Sequence, residues 1–179
     1  MKLIMFALAL ALVSTTGLAE TSTHDGQHDF DFEIGKWNVH LKYLKQRLHG
    51  SHEWLEGNGT SVMRSMWDGK ANTDELSVVL PTGPLEGATF RIYSTETHQW
   101  SIYWANRKDG QLGLPPMVGE FKNGRGEFYD QEAFEGRMIY VRFVWSNMSQ
   151  KSAHFEQSFS ADGGKTWEVN WIADQTRIE

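Results

Sequence analysis

The chain contains no cysteine. That excludes a lipid-modified lipoprotein cysteine, thiol catalysis and any disulfide framework, so the fold must hold together by burial. It also lacks a basic cluster. Its 17 lysines and arginines are scattered among 23 acidic residues, giving a formal charge of -6, and a phosphate backbone would find no electropositive track. Nucleic acid is therefore not an expected partner. The Gly-x-Ser-x-Gly elbow, the Walker pattern and the dinucleotide glycine signature are all absent. No ten-residue stretch reads as an amphipathic helix, and no repeat of fixed length recurs.

What is present begins with a leader. Lys2 is followed by the apolar run Leu3 to Val13 and by small and polar residues up to Ala19, the pattern of a secretory signal peptide. The run is well short of the ~20 residues that cross a hydrocarbon core. Residues 1–19 are thus expected to be a signal peptide cleaved after Ala19, leaving no membrane span in a periplasmic or secreted protein. Residues 20–29 are polar and aperiodic and read as a flexible lead-in. Residues 30–179 then form one domain, long enough to bury a proper core.

From Phe30 onward the dominant period is two. Nine segments, among them "WNVHLKYL", "ELSVVL", "QWSIYWAN" and "RMIYVRFVWS", alternate and are rich in β-branched and aromatic residues, with a tenth near Trp54. Between them lie turn signals such as "EGNG", "WDGKAN", "PTGPLEG", "FKNGRG" and "ADGGK". Short connections force antiparallel pairing. The chain is expected to be all-β, an antiparallel up-and-down barrel of about nine or ten strands or a sandwich.

Few residues suggest chemistry. "SADGGKTW" (Ser160 to Trp167) is similar to the Asp-box of sialidases and reads as a structural hairpin. His24 with His28 and His49 with His52 have loop spacings, but zinc needs three or four converging ligands, so no metal and no cofactor are expected. The run from Asp68 fails as a calcium loop because Lys70 and Val79 stand where ligands belong. Glu127, Asp130, Glu132 and Glu135 read as the solvated end of a hairpin.

In a barrel, alternate residues point inward. Taking the more apolar set as inward gives Ile139, Val141, Phe143 and Trp145; Phe155, Gln157 and Phe159; Trp100, Ile102 and Trp104; and Trp167, Val169 and Trp171. With 8 Trp, 10 Phe and 5 Tyr in the chain, so many converging rings suggest an apolar cavity, although a tryptophan stripe serves equally as plain core. The candidate ligand-binding residues are Trp100, Trp104, Arg142, Phe143, Trp145, Phe155, Gln157 and Trp171. If the sidedness is reversed, Arg91, Tyr93, Tyr103, Arg142, Glu156 and Asn170 become the lining.

Gly35-Lys36-Trp37, at the start of the first strand, resembles the Gly-x-Trp signature of lipocalins and other calycins. The resemblance implies that Trp37 closes one end of a calycin-like barrel and that Arg177, near the C-terminus, packs across its indole. "FDFEIGKWNVHLKYL", "WDGKANTDEL", "QWSIYWAN", "GRGEFYDQE" and "FEQSFSADGGKTWEVNWIA" together are similar to a family of secreted bacterial proteins of unknown function with a calycin-like barrel.

The leading expectation is an exported barrel that binds a small, largely apolar molecule. A cofactor-free isomerase, cyclase or hydrolase acting on a lipophilic substrate would need an inward polar pair such as Arg142 with Glu156. A haem-binding protein like the nitrobindins would need an inward histidine, for which His154 is the candidate. An interaction module would use surplus exposed aromatics for a homodimer face.

Overall fold

The computed structural model describes residues 25–178. The signal-peptide segment and residues 20–24 lie outside them. Eleven strands follow in order: β1 (Gly35–Leu44), β2 (Trp54–Met66), β3 (Ala71–Leu80), β4 (Gly83–Ser94), β5 (Gln99–Asn106), β6 (Gln111–Leu112), β7 (Met117–Lys122), β8 (Arg125–Phe134), β9 (Arg137–Ser146), β10 (Ser152–Ser160) and β11 (Glu168–Arg177).

All pairings are antiparallel. β1 bonds to both β2 and β11, and β4 bonds to β5, so ten strands close on themselves while the two-residue β6 hangs on β5. The product is a closed, calycin-like antiparallel barrel, which leaves no edge strand in the wall. Turn chemistry matches the sequence at several hairpins. Asn123 (φ 52°) and Gly124 (φ 73°) form the two-residue link between β7 and β8, as an Asn-Gly turn with two positive φ values requires.

Elsewhere the turn signals mislead. "EGNG" is not a turn but lies inside β2, merging two expected strands into one. Gly59 is there for space: a Cβ on it would stand 1.9 Å from the Ser77 carbonyl oxygen of β3. "PTGPLEG" likewise turns only at Pro81 and Thr82 before β4 begins at Gly83.

The lead-in also differs from expectation where it is described. Asp25 caps a 3-10 turn over Gly26–His28, and a second turn covers Asp31–Glu33. The segment is docked rather than flexible because it carries bonds into the barrel. The Trp100 indole N–H donates to Gly26 O at 2.8 Å, and the Tyr93 hydroxyl donates to Asp25 Oδ1 at 2.9 Å.

Phe30 follows and fills the lower bore. Its ring meets Phe121 at 4.8 Å, Trp100 at 5.1 Å and Trp145 at 5.3 Å, all edge to face, an arrangement the ring quadrupoles favour. Trp37 is fully buried. The Trp37 indole N–H donates to Glu33 O at 2.6 Å, and the Arg177 guanidinium lies 4.2 Å from the Trp37 ring centre. Arg177 also donates to Ile34 O at 2.6 Å and to Phe32 O, binding the last strand to the first. This end of the barrel is solid, and any cavity must lie above it.

Candidate functional site

Above the plug the bore widens into a cavity of about 110 Å³. Its walls are Ile102 and Trp104 from β5, Phe143 and Trp145 from β9, Phe155 and Gln157 from β10, and Trp171 and Ala173 from β11, with Val39 and Leu76 completing the ring. Each comes from the inward parity of its strand. Trp104 and Trp171 touch at 6.3 Å between ring centroids, although their strands lie on opposite sides of the bore. The two indoles therefore bridge the mouth.

Six candidates thus meet at the cavity: Trp104, Phe143, Trp145, Phe155, Gln157 and Trp171. Two do not. Trp100 has the inward parity but sits too deep, packed against Phe30 and Tyr93 in the plug. Arg142 points outward, where its guanidinium covers the Trp167 ring at 4.5 Å. Glu156 shares that outer surface and contacts His154 at 3.2 Å, so the Arg142 and Glu156 pair cannot act inside the barrel.

Trp167 and Val169 also lie outside, and the reason is local. Gln157 faces Trp171 but Ser158 faces Val169, so Asn170 is an extra residue in β11. Such a bulge changes the parity of everything before it. Asn170 is buried there and its Oδ1 accepts from Gln157 Nε2 at 2.8 Å. The Asp-box turn beyond it is structural: Asp162 accepts the amides of Lys165 and Thr166, both at 3.0 Å, and the Thr166 hydroxyl at 2.6 Å.

The residues that the alternation missed form the floor. Arg91 on β4 is only 3% exposed, and its Nη1 lies 3.1 Å from Glu33 Oε2. The same nitrogen donates to Asn72 Oδ1 at 3.2 Å. The guanidinium also lies 4.5 Å over Phe30, a cation-π contact. Glu33, from the second 3-10 turn, accepts the Trp145 indole N–H on Oε1 at 2.8 Å. Asp74 on β3 accepts the Ser61 hydroxyl and stands 3.9 Å from Arg91 Nη2. Burial pushes both carboxyls above the usual carboxylate range, against the pull of Arg91. Thr89 and Gln175 complete this polar base.

One signal in the sequence marked β4 as unusual. In "ATFRIYS" the more apolar alternate set, Phe90 and Ile92, faces outward and leaves Thr89, Arg91 and Tyr93 inside, where Arg91 and Tyr93 are buried. The expected sidedness is therefore reversed along β4, as it is in β11 ahead of the bulge, while Tyr103 of the neighbouring strand stays outside.

The rim carries a second ionic group. Asp130 and Glu132 on β8 are opposite the inward residues Val141 and Ile139, so they are not a solvated hairpin end. Burial, with Glu132 adding to it, pushes the Asp130 carboxyl up to about 7. The β1–β2 connection folds onto this rim. Arg47 lies 4.1 Å over Tyr43, the Leu48 N–H donates to Glu168 Oε1 at 2.6 Å, and His49 Nε2 lies 2.8 Å from Glu135 Oε2.

Among the described residues, no group of three or more His, Asp or Glu could hold a metal ion, and no histidine lines the cavity. His154 faces outward between Asp174 at 2.7 Å and Glu156 at 3.2 Å. The haem reading therefore lacks its inward histidine. No helix among the described residues is long and apolar enough to cross a membrane.

No family model matches the chain, and no curated protein matches it. Among solved structures, the S-type phycobiliprotein lyase CPES from Guillardia theta is similar over 87% of this chain and 94% of its own, with a TM-score of 0.60 and 9% identity. EF1p2_mFAP2b bound to DFHBI (TM-score 0.47, 9% identity, 85% of this chain and 98% of its own) and the redesigned β-barrel b11L5F_LGL (0.45, 11%, 89% and 100%) are more distant. The likeness to the lyase establishes the barrel fold and nothing finer.

Proposed function

We propose that this protein is an exported barrel that binds one small, largely apolar molecule in the cavity beneath Trp104 and Trp171. The observation that carries the reading is the cavity's division into aromatic walls and a charged, hydrogen-bonded floor. A bore meant only as core gains nothing from burying an arginine and two carboxyls, whose desolvation costs stability. Apolar walls with a few convergent polar groups are how small-molecule sites obtain affinity and orientation together. Export is supported by the leader-like residues 1–19.

The test is titration of the purified protein with the neutral dye N-phenyl-1-naphthylamine. Saturable binding with a blue-shifted emission is expected, and Phe155→Trp, which fills the cavity, should abolish it. Non-saturable fluorescence in both proteins would end the binding reading. Export is checked separately by fractionating an expressing bacterium and sequencing the mature N-terminus, which should begin at Glu20.

A further inference from the structure

The cavity floor is short of partners at two adjacent places. Asp74 Oδ1 accepts the Ser61 hydroxyl, whereas Arg91 Nη2 stands 3.9 Å from Oδ2, beyond hydrogen-bonding distance. On the same guanidinium, Nη1 is taken by Glu33, Asn72 and the Met63 sulfur, whereas Nε is buried and has no partner. Buried polar atoms in native proteins are almost always paired. Here one open acceptor and one open donor stand on neighbouring groups, and both residues line the cavity.

Charge then selects the head group. The lining holds two carboxyl groups against one guanidinium, so an anionic head meets net repulsion and must compete with Glu33 for Arg91. A cationic head satisfies Asp74 but leaves Arg91 Nε unpaired and sets a second cation beside the guanidinium. A neutral head with a donor next to an acceptor satisfies both open atoms.

We propose that the ligand is a flat, apolar molecule whose neutral head presents an N–H donor beside a carbonyl, as in a secondary lactam. The N–H donates to Asp74 Oδ2, and the carbonyl oxygen accepts from Arg91 Nε. The flat body lies among Trp104, Phe143, Trp145 and Trp171. This inference rests on the small-molecule-binding reading and adds the chemistry of the head group.

The experiment displaces bound N-phenyl-1-naphthylamine with four bicyclic probes that share shape and differ in head: quinolin-2(1H)-one, its N-methyl derivative, 2-naphthoate and 2-naphthylmethylammonium. The lactam should displace the dye at a concentration about tenfold or more below the N-methyl derivative, the worth of one hydrogen bond to a charged acceptor. Asp74→Ala should erase that gap, so that the lactam and its N-methyl derivative displace the dye at the same concentration. The comparison among probes on the unmodified protein stands even if the variant does not fold. Equal displacement by the lactam and its N-methyl derivative, or tightest binding by either charged probe, overturns the head-group assignment and leaves the binding reading intact. If neither the dye nor any probe binds, the binding reading falls and takes this inference with it.

Discussion

Trp104 of β5 and Trp171 of β11 meet edge to face across the bore, 6.3 Å between ring centroids, although four strands separate them around one side of the wall. Trp104 is held there by a missing side chain. A Cβ on Gly87 would lie 2.3 Å from the Trp104 ring, so the indole rests directly on the β4 backbone. Tyr43 meets Trp171 edge to face at 5.7 Å, and Arg47 covers Tyr43.

The bridge controls entry more than affinity for a ligand already inside. Trp104→Ala is expected to raise the association rate of N-phenyl-1-naphthylamine, measured by stopped-flow fluorescence. Because the indole is partly exposed, the loss of stability should stay below about 3 kcal/mol, the lower figure for deleting a fully buried aromatic. An unchanged association rate would mean that ligands enter elsewhere.

The opposite end should behave as pure structure. Trp37 is fully buried and is held by Glu33, Arg177 and the register Trp37–Arg177 between β1 and β11. Trp37→Ala should lower the unfolding free energy by ~3–5 kcal/mol in urea denaturation. Arg177→Ala should be milder but should still loosen the last strand, because three carbonyls, of Phe32, Ile34 and Gln150, lose their donor.

The rim predicts a pH dependence of a particular sign. Burial raises the folded-state pKa of Asp130 from the ordinary aspartate value of about 4 to about 7. Between those values the folded protein binds more protons than the unfolded chain, so this group's contribution is complete below about pH 4 and is lost as pH rises through 7. Asp130→Asn should flatten that slope and stabilise the protein at pH 8, by on the order of 1 kcal/mol once solvent screening is allowed for. Chemical denaturation at pH 5 and pH 8 measures both effects, and an unaltered slope would place the titration on another group.

The fold was legible because ten barrel strands alternate between aromatic or β-branched and other residues, and because Asn-Gly and Glu-Gly turns separate several of them. The walls of the cavity were legible for the same reason: Trp104, Phe143, Phe155 and Trp171 follow parity. Parity fails where backbone geometry interrupts it. The bulge at Asn170 moved Trp167 and Val169 outside, and no local sequence pattern announces a bulge. Depth is also invisible to a period of two, so Trp100 could not be told from Trp104.

The floor was the least legible part. Glu33 lies in "FDFEIGKWNVHLKYL" just ahead of the first expected strand, Asp74 between the "WDGKAN" turn signal and the expected strand "ELSVVL", and Arg91 belongs to the less apolar set of β4. Their burial is tolerated because each supplies what another lacks, and that complementarity joins residues far apart in sequence. Assigning the more apolar face inward is a rule about single strands. A buried ion pair belongs to no strand alone.

Glu33 reaches Trp145 and Gln175 across 112 and 142 residues of chain. The contact with Gln175 forms only once the last strand is in place. A nascent chain cannot finish the cavity floor until β11 has left the ribosome and come back to a segment made at the start of synthesis. Wall and floor therefore have separate histories, since neighbouring hairpins can pair as they emerge while the carboxyl at the base must wait. A ligand that contacts this floor stabilises only the completed molecule, and its binding reports whether both ends of the chain have been brought together.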